Sequence, residues 1–257
     1  MLDYNIFGCI CFNMRILYKL TIFFVAPLFL LSACSTGFKL GNYDDPYETV
    51  NRKSHEVNKA IDKNVLRPSS KVYSKVLGQK PREAISNFSE NWGLPKDFVN
   101  YTLQGDIGNV SKTTGQFLIN STVGIAGLFD PSERVGINAR GTDFGETLHK
   151  WGVSEGDYVE IIFLGPSTER DTLGKVADLV LDPLGFVLNP WQSRLRSTAN
   201  VGNVLGNRAA LGSTIDSVLY DSADSYAQTK LAYLQGRRFR LNPEISEVYS
   251  DPYEMTE

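Results

Sequence analysis

Cys34 is the residue of this chain best placed for covalent chemistry. It closes the string Leu31-Ser32-Ala33-Cys34, directly after an uncharged apolar run from Thr21 to Leu31 that Arg15 and Lys19 precede. A basic n-region, a short apolar segment and small residues before the cut mark an export leader. With a cysteine at the cut it has the form of a lipobox, in which the thiolate takes a diacylglyceryl group before cleavage. The run is too short to remain as a spanning helix. Translation from Met14 is expected, since that start sets Arg15 next to the initiator and drops Asp3, an acid unwelcome in an n-region. Ser35 rather than Asp after the cysteine points to sorting to the outer membrane of a two-membrane bacterium. Cys9 and Cys11 fall in the removed leader, so no thiol is left for a disulfide or a cysteine-based metal site.

Other chemistry is scarce. The only histidines are His55 and His149, so a histidine relay or a multi-histidine metal site would have to use them. Both are expected to be ordinary, partly exposed residues, and no metal is expected. Gly165-Pro166-Ser167-Thr168-Glu169 lacks the closing glycine of a nucleophile elbow. No G-x-x-x-x-G-K-[ST] phosphate loop occurs. A hydrolase would need a nucleophile–histidine pair, so the chain is expected not to be an enzyme and to use no cofactor beyond the lipid on Cys34. With 26 Lys+Arg against 29 Asp+Glu the net charge is −3, which gives no basic field for nucleic acid. A hydrophobic content of 42% over 257 residues is enough to build a sizeable core.

The elements that carry these residues are mainly helical. After a lipidated tether (34–44), Asp45-Pro46 predicts a helix start, with Asp45 as N-cap and Pro46 at the first helical position. Val50, Val57, Ile61 and Val65 form one stripe of a helix expected to end before Arg67-Pro68. Shorter helices are predicted over 71–77, from Pro81 through Phe88, and from Pro95 to Gly105. Leu173, Val176, Ala177 and Val180 set another within 168–181. From Trp191 to about Leu241 the pattern stays helical, with a turn near 221–224. Tyr158 to Leu164 is the one plausible strand, and Gly/Pro-rich connections are expected between Ala139 and Ser167. Gly202 and Gly206 allow close helix approach, although small-x-x-x-small pairs are common. The organisation is thus a leader (1–33), the tether, one mostly α irregular domain (45–241) and a polar tail (242–257).

Thr113 to Phe129 stands apart, with no charged residue in 17 positions. On a helix, Thr113, Gln116, Asn120, Gly124 and Gly127 fall on one side, while Leu118, Ile119, Val123, Ile125, Ala126 and Phe129 occupy the rest. Two readings stay open: a buried core helix, or a segment between lipid and an aqueous groove.

Taken in order, several strings resemble the VacJ/MlaA family of outer-membrane lipoproteins. They are Asp45-Pro46-Tyr47-Glu48 with Val50-Asn51-Arg52 and Asn58; Asn87-Phe88 with Pro95, Phe98, Val99, Asn100 and Gln104-Gly105; and Phe117, Asn120-Ser121-Thr122 and Gly124 to Asp130. Then come Asp143-Phe144-Gly145-Glu146-Thr147-Leu148, Trp151-Gly152-Val153 and Tyr158, followed by Leu164-Gly165-Pro166-Ser167-Thr168, Arg170-Asp171 and Asp182-Pro183. Departures stand at Glu146, where the family usually has Gln, at His149 (Gly), at Ile162 (Pro), at His55 (an aromatic nearby) and at Glu160, a charge in an apolar run.

The resemblance implies a helical ring embedded in the inner leaflet of the outer membrane and associated with a trimeric porin. Such rings remove phospholipids that stray into the outer leaflet and hand them to a soluble periplasmic carrier. A polar, glycine-lined path would spare the headgroup the cost of entering hydrocarbon. On this reading Gln116, Asn120, Ser121, Gly124, Gly127, Gly165 and Pro166 line or shape the path. Asp45, Pro46, Asn51, Arg52, Asn58, Asp143, Phe144, Gly145, Trp151 and Ser167 hold the ring. Arg170-Asp171 is either a helix cap with a salt bridge or a headgroup contact. The alternative is a lipoprotein that braces porins or the envelope without lipid passage.

Overall fold

The computed structural model describes residues 45–242. The leader, Cys34, the tether and all but the first residue of the tail lie outside the described residues.

The first helix, α1 (Glu48–Ile61), turns its valines outward. Asn51, Ser54 and His55 are buried, whereas Val50 and Val57 are exposed. Asp45 does not cap it, and Pro46 lies in the turn before it. The Asp45 carboxylate instead accepts hydrogen bonds from the Tyr226 hydroxyl, from Lys230 Nζ at 2.9 Å and from Asn51 Nδ2 at 3.2 Å. A charged partner outbids a backbone N–H for a carboxylate.

The helix also does not end before Arg67-Pro68. It widens into a π turn over Asp62–Leu66 and continues as α2 (Arg67–Val76). The π turn shifts the hydrogen-bond register where Pro68 has no N–H to give, which lets the chain stay helical. A second π turn, Ser217–Asp221, joins α11 (Gly212–Asp216) to the last helix across the residues 222–224. The two π turns are tied together. Arg208 grips Asp62 at 2.7 and 2.8 Å and Asp216 at 2.7 Å, while Tyr220 donates to Asp62 at 2.7 Å.

Between them run α3 (Gln79–Asn91), α4 (Leu94–Leu103), α5 (Ile107–Thr122), the short α6 (Pro131–Arg134) and α7 (Phe144–Lys150). Aspartates 106, 130 and 143 cap the last three by accepting the N–H of the residue three further on. The stretch expected to be one strand plus connections is a hairpin, β1 (Tyr158–Ile161) with β2 (Gly165–Thr168), antiparallel with Tyr158 opposite Thr168. Pro166 is tolerated because a two-stranded hairpin leaves its missing N–H on an open edge. Thr168 then caps α8 (Glu169–Leu181), and α9 (Leu184–Val187) leads to α10 (Pro190–Ala210), which starts on an Asn189/Gln192 capping box. The chain closes with α12 (Ser225–Leu241).

α10 packs on α2 and α3, α4 on α5, α7 on α8, and β1 on α1. Gly174 and Gly145 let α7 and α8 touch at the backbone, since a Cβ on Gly174 would strike the Gly145 amide. The interior is polar. Among the described residues 24 buried side chains are polar or charged and eight are apolar, so no conventional oily core holds this fold.

Candidate functional site

α5 carries the division read from its sequence. Thr113, Gln116 and Asn120 face inward, while Leu118, Val123, Ile125 and Phe129 face outward. The inward amides hold the chain that follows. Gln116 Oε1 accepts the Ala139 N–H at 3.0 Å, and Asn120 Oδ1 accepts the Ser132 N–H at 3.2 Å. Ser121 Oγ accepts from Asn91 Nδ2 at 3.1 Å.

Beyond Thr122 the helix collapses into a knot of turns, with Gly127 N–H on Asn120 O at 2.8 Å and Phe129 N–H on Gly124 O at 2.9 Å. A Cβ on Gly124 would collide with the Phe129 and Asn120 carbonyls. Gly127 has φ 89° and lies against Asn91, where a Cβ would come within 2.6 Å. Ile125 (φ 53°) and Ala126 (φ 57°) are left-handed as well, which is strained for residues with a Cβ. The knot's outer side is apolar.

A second cluster holds the charges. Arg237 on α12 spans Asp143 (2.7 Å to each oxygen) and Asp171 (2.9 Å), and Tyr233 donates to Asp171 at 2.6 Å. Gly145 sits among them, where a Cβ would lie 2.5 Å from Asp171 Oδ1. Burial pushes the Asp143 carboxyl up, but Arg237 overrides it and holds the group at about 2. Thr168 caps α8, so Arg170-Asp171 is not the cap. Arg170 is buried beside Asp171 at 3.6 Å, with only long contacts to His149 Nδ1 (3.5 Å) and Val153 O (3.4 Å). Trp151 stacks edge-on with Phe144 and donates to Leu103 O at 3.1 Å. Ser167 is fully buried and accepts from Thr172 Oγ1 at 3.0 Å. Gly165 (φ 73°) has open space beside it, and the Pro166 carbonyl accepts from Lys175 Nζ at 3.3 Å.

His55 is not partly exposed. Its Nδ1 lies 3.2 Å from both Glu160 oxygens and its Nε2 3.0 Å from Ser225 Oγ. Asn58 and the Tyr158 hydroxyl also donate to Glu160, at 3.1 Å each. The two departures at 55 and 160 therefore face each other. Serine, histidine and glutamate in line have the roles of a hydrolytic triad. Here Ser225 is 8% exposed and Lys59 Nζ closes on its Oγ at 3.1 Å, so the trio clamps α1, the hairpin and α12 together.

The motif residues on α1 serve the same junction. Asn51 pairs with the β1 backbone at Tyr158 O (2.9 Å) and the Glu160 N–H (2.8 Å). Asn58 Oδ1 holds the hairpin tip at the Phe163 N–H, 2.9 Å away. Arg52 forks onto Asp224 at 3.1 and 2.9 Å. The other departures are absorbed locally. Glu146 is buried against Arg140, burial and the Arg170 charge push His149 down, and Ile162 lies at the exposed tip. Sequence reasoning missed Arg237, Arg208 and Ser225. Only the misplaced charge at Glu160 signalled a buried partner.

The outer surface completes the picture. Leu179 is 83% exposed, Phe163 81% and Val187 78%, with Val176, Phe186, Trp191 and Leu195 also open. Among the described residues no helix is long and apolar enough to cross a membrane, and no group of histidines, cysteines or carboxylates could hold a metal.

A mostly helical protein whose buried side chains are mainly polar and whose surface carries many large apolar ones is the class this architecture defines. The family model for the MlaA lipoprotein matches residues 43–240. The chain belongs to that family. It is 30% identical over 217 residues to the intermembrane phospholipid transport system lipoprotein MlaA of Escherichia coli K12, covering 83% of this chain and 84% of the relative. It is 31% identical over 199 residues to an uncharacterized protein of Rickettsia bellii, with 75% of each covered. A solved structure concerned with maintenance of bacterial outer membrane lipid asymmetry superimposes with a TM-score of 0.67 at 30% identity, covering 77% of this chain and 100% of the other.

Proposed function

We propose that this protein is an outer-membrane lipoprotein, anchored through Cys34 in the inner leaflet, that clears mislocalised phospholipids from the outer leaflet. The lipid passes along an amphipathic path and is handed to a soluble periplasmic carrier, with a trimeric porin as the membrane-spanning neighbour. The observation that carries this reading is the reversed amphipathicity, apolar belt outside and polar network inside, in a chain of this family. In water the exposed Leu179, Phe163 and Val187 would be a liability; against acyl chains they are the favourable surface.

A headgroup crossing hydrocarbon meets a barrier of at least about 2.5–3.5 kcal/mol for a charge. A polar wall removes that barrier while the acyl chains stay in lipid. Gln116, Asn120, Ser121, Gly124 and Gly127 shape that wall by fixing the 123–139 segment, and Gly165-Pro166 shape it at the hairpin. No covalent step or nucleotide is needed, so flow follows the gradient the carrier maintains.

Outer-leaflet phospholipid in a deletion strain tests the reading. It should rise and fall back on complementation with the full chain. A strain whose outer leaflet stays normal without the gene would overturn transport and favour a bracing role.

A further inference from the structure

The knot that follows α5 is held in a conformation its residues do not favour. Ile125 (φ 53°) and Ala126 (φ 57°) take left-handed backbone directly before Gly127 (φ 89°). A left-handed residue presses its Cβ on the carbonyl that follows, and the branched side chain of Ile125 adds to the crowding. The backbone bonds that close the knot are irregular. Ala126 N–H reaches back five residues to Ser121 O at 3.0 Å, and Gly127 N–H seven residues to Asn120 O at 2.8 Å. Ile125 N–H and Leu128 N–H make only long bonds, of 3.4 and 3.3 Å.

The end of α3 keeps the knot in place. Asn91, its last residue, is 2% exposed and lies against Gly127, and Trp92 follows it. The Trp92 Nε1–H donates to Ala126 O at 3.2 Å, and its ring stacks on Phe88 with centroids 5.0 Å apart. Asn91 Nδ2 donates to Ser121 Oγ at 3.1 Å, but its Oδ1 is buried without a partner. Exchanging the oxygen and nitrogen of that amide would only leave the other end unpaired. Asn87, one turn earlier, reaches Leu128 O at no less than 3.5 Å. Beside the knot lies a cavity of about 540 Å³, lined in part by Asn87, Val123, Phe129, Glu133 and Arg134, which gives the segment room to shift. Strained backbone, a half-satisfied buried amide and open space at one point mark a segment with a second arrangement within reach.

We propose that residues 123–129 form a strap across the lipid path, latched on α3 by Trp92 and Asn91, and that lipid passes when the latch opens. Trp92 and Asn91 are then positioning residues for transport. This rests on the reading that α5 and the knot border the path. In the released form Ile125 and Ala126 return to right-handed backbone.

The test compares two variants that push this equilibrium in opposite directions. Hydrogen–deuterium exchange is read on the full-length protein in nanodiscs, and the rate of outer-leaflet phospholipid clearance in cells. Trp92→Phe keeps a ring on Phe88 and removes the latching N–H. Exchange of amides 125–129 should quicken about threefold to tenfold, and clearance should speed up. Ile125→Gly combined with Ala126→Gly accepts left-handed backbone without strain and weakens the right-handed alternative, so it favours the latched form. Its exchange should slow about threefold, and clearance should slow with it. Amides of α5 over 107–122 should exchange as in the wild type in both variants, which marks an intact fold.

Faster exchange in both variants, or no change in either, would overturn the strap and leave Trp92 and Asn91 as ordinary structural contacts. Opposed exchange with clearance at the wild-type rate in both would overturn it as well, because the segment would move without governing lipid. A deletion strain with a normal outer leaflet would sink transport, whereas unopposed exchange would sink the strap whatever that strain shows.

Discussion

Two regions of this molecule solve the same problem with different side chains. In the segment from α5 to Ala139 the interior is tied by neutral amides: Gln116 and Asn120 hold backbone N–H groups, and Asn91 holds Ser121. Elsewhere the interior is tied by charged groups: Arg237 of α12 between Asp143 and Asp171, Arg208 of α10 between Asp62 and Asp216, and Glu160 of β1 against His55 of α1. The amide region lies directly under an exposed apolar skin at Val123, Ile125 and Phe129. On the proposed placement of this skin in lipid, a charge there would be desolvated by lipid as well as protein, whereas an amide is satisfied by one or two hydrogen bonds at modest cost. Arg237 and Arg208 are tolerated in the charged region because each meets two carboxylates.

The largest expected effect is in the charged region. Arg237→Leu takes the hydrogen-bonded cation from half-buried Asp143 and buried Asp171, leaving only Arg240 at 3.7 Å and Arg170 at 3.6 Å, and should cost about 3–5 kcal/mol in chemical denaturation. Arg238→Ala, which removes an exposed pair with Glu155, should cost under about 1 kcal/mol. Equal losses from the two would break the distinction.

The clamp comes next. His55→Tyr and Glu160→Gln should each destabilise alone, and the double variant should recover part of the loss, with a coupling of about 0.5–3 kcal/mol. Additive losses would mean that the two departures are independent. In the amide region Asn120→Ala strands the Ser132 N–H and should cost about 1–3 kcal/mol, measured as thermal stability in detergent.

Acid titration separates carboxylates within the charged side. Asp143 sits at about 2, below its unfolded value, so its contribution is present at neutral pH and fades as pH falls from about 4 toward 2. Burial lifts Asp97 to about 6, so its contribution runs the other way. Protonation relieves it, and stability should rise as pH drops from about 7 toward 4. Asp97→Asn should abolish that rise. The smallest effect belongs to Ser225→Ala, which should leave lipid clearance intact; loss of clearance with an unchanged fold would revive a hydrolytic role.

The periodicity of the chain revealed where helices run but not which way they face. The Val50, Val57 and Val65 stripe is a helix stripe, and a reader who assumes water outside places it in the core, while the structure turns it out. Thr113 to Asn120 was legible because no charge interrupts it and its polar residues recur at helical spacing. Arg67-Pro68 misled because proline is a sound stop signal, and a π turn has no signature in residue types. Gly165-Pro166-Ser167-Thr168 reads as a loop by composition, and only pairing with Tyr158 to Ile161 makes it a strand. Arg237 was invisible because its partners lie 94 and 66 residues away.

Solvent exposure of the apolar belt tests the central claim most directly. Single cysteines at Val123, Phe163, Leu179 and Val187 would carry nitroxide labels in the full-length protein reconstituted into vesicles, with collision rates measured against oxygen and a water-soluble nickel chelate. Strong oxygen and weak nickel collisions at all four are predicted. Strong nickel collisions at those positions in membrane-bound protein would contradict the account.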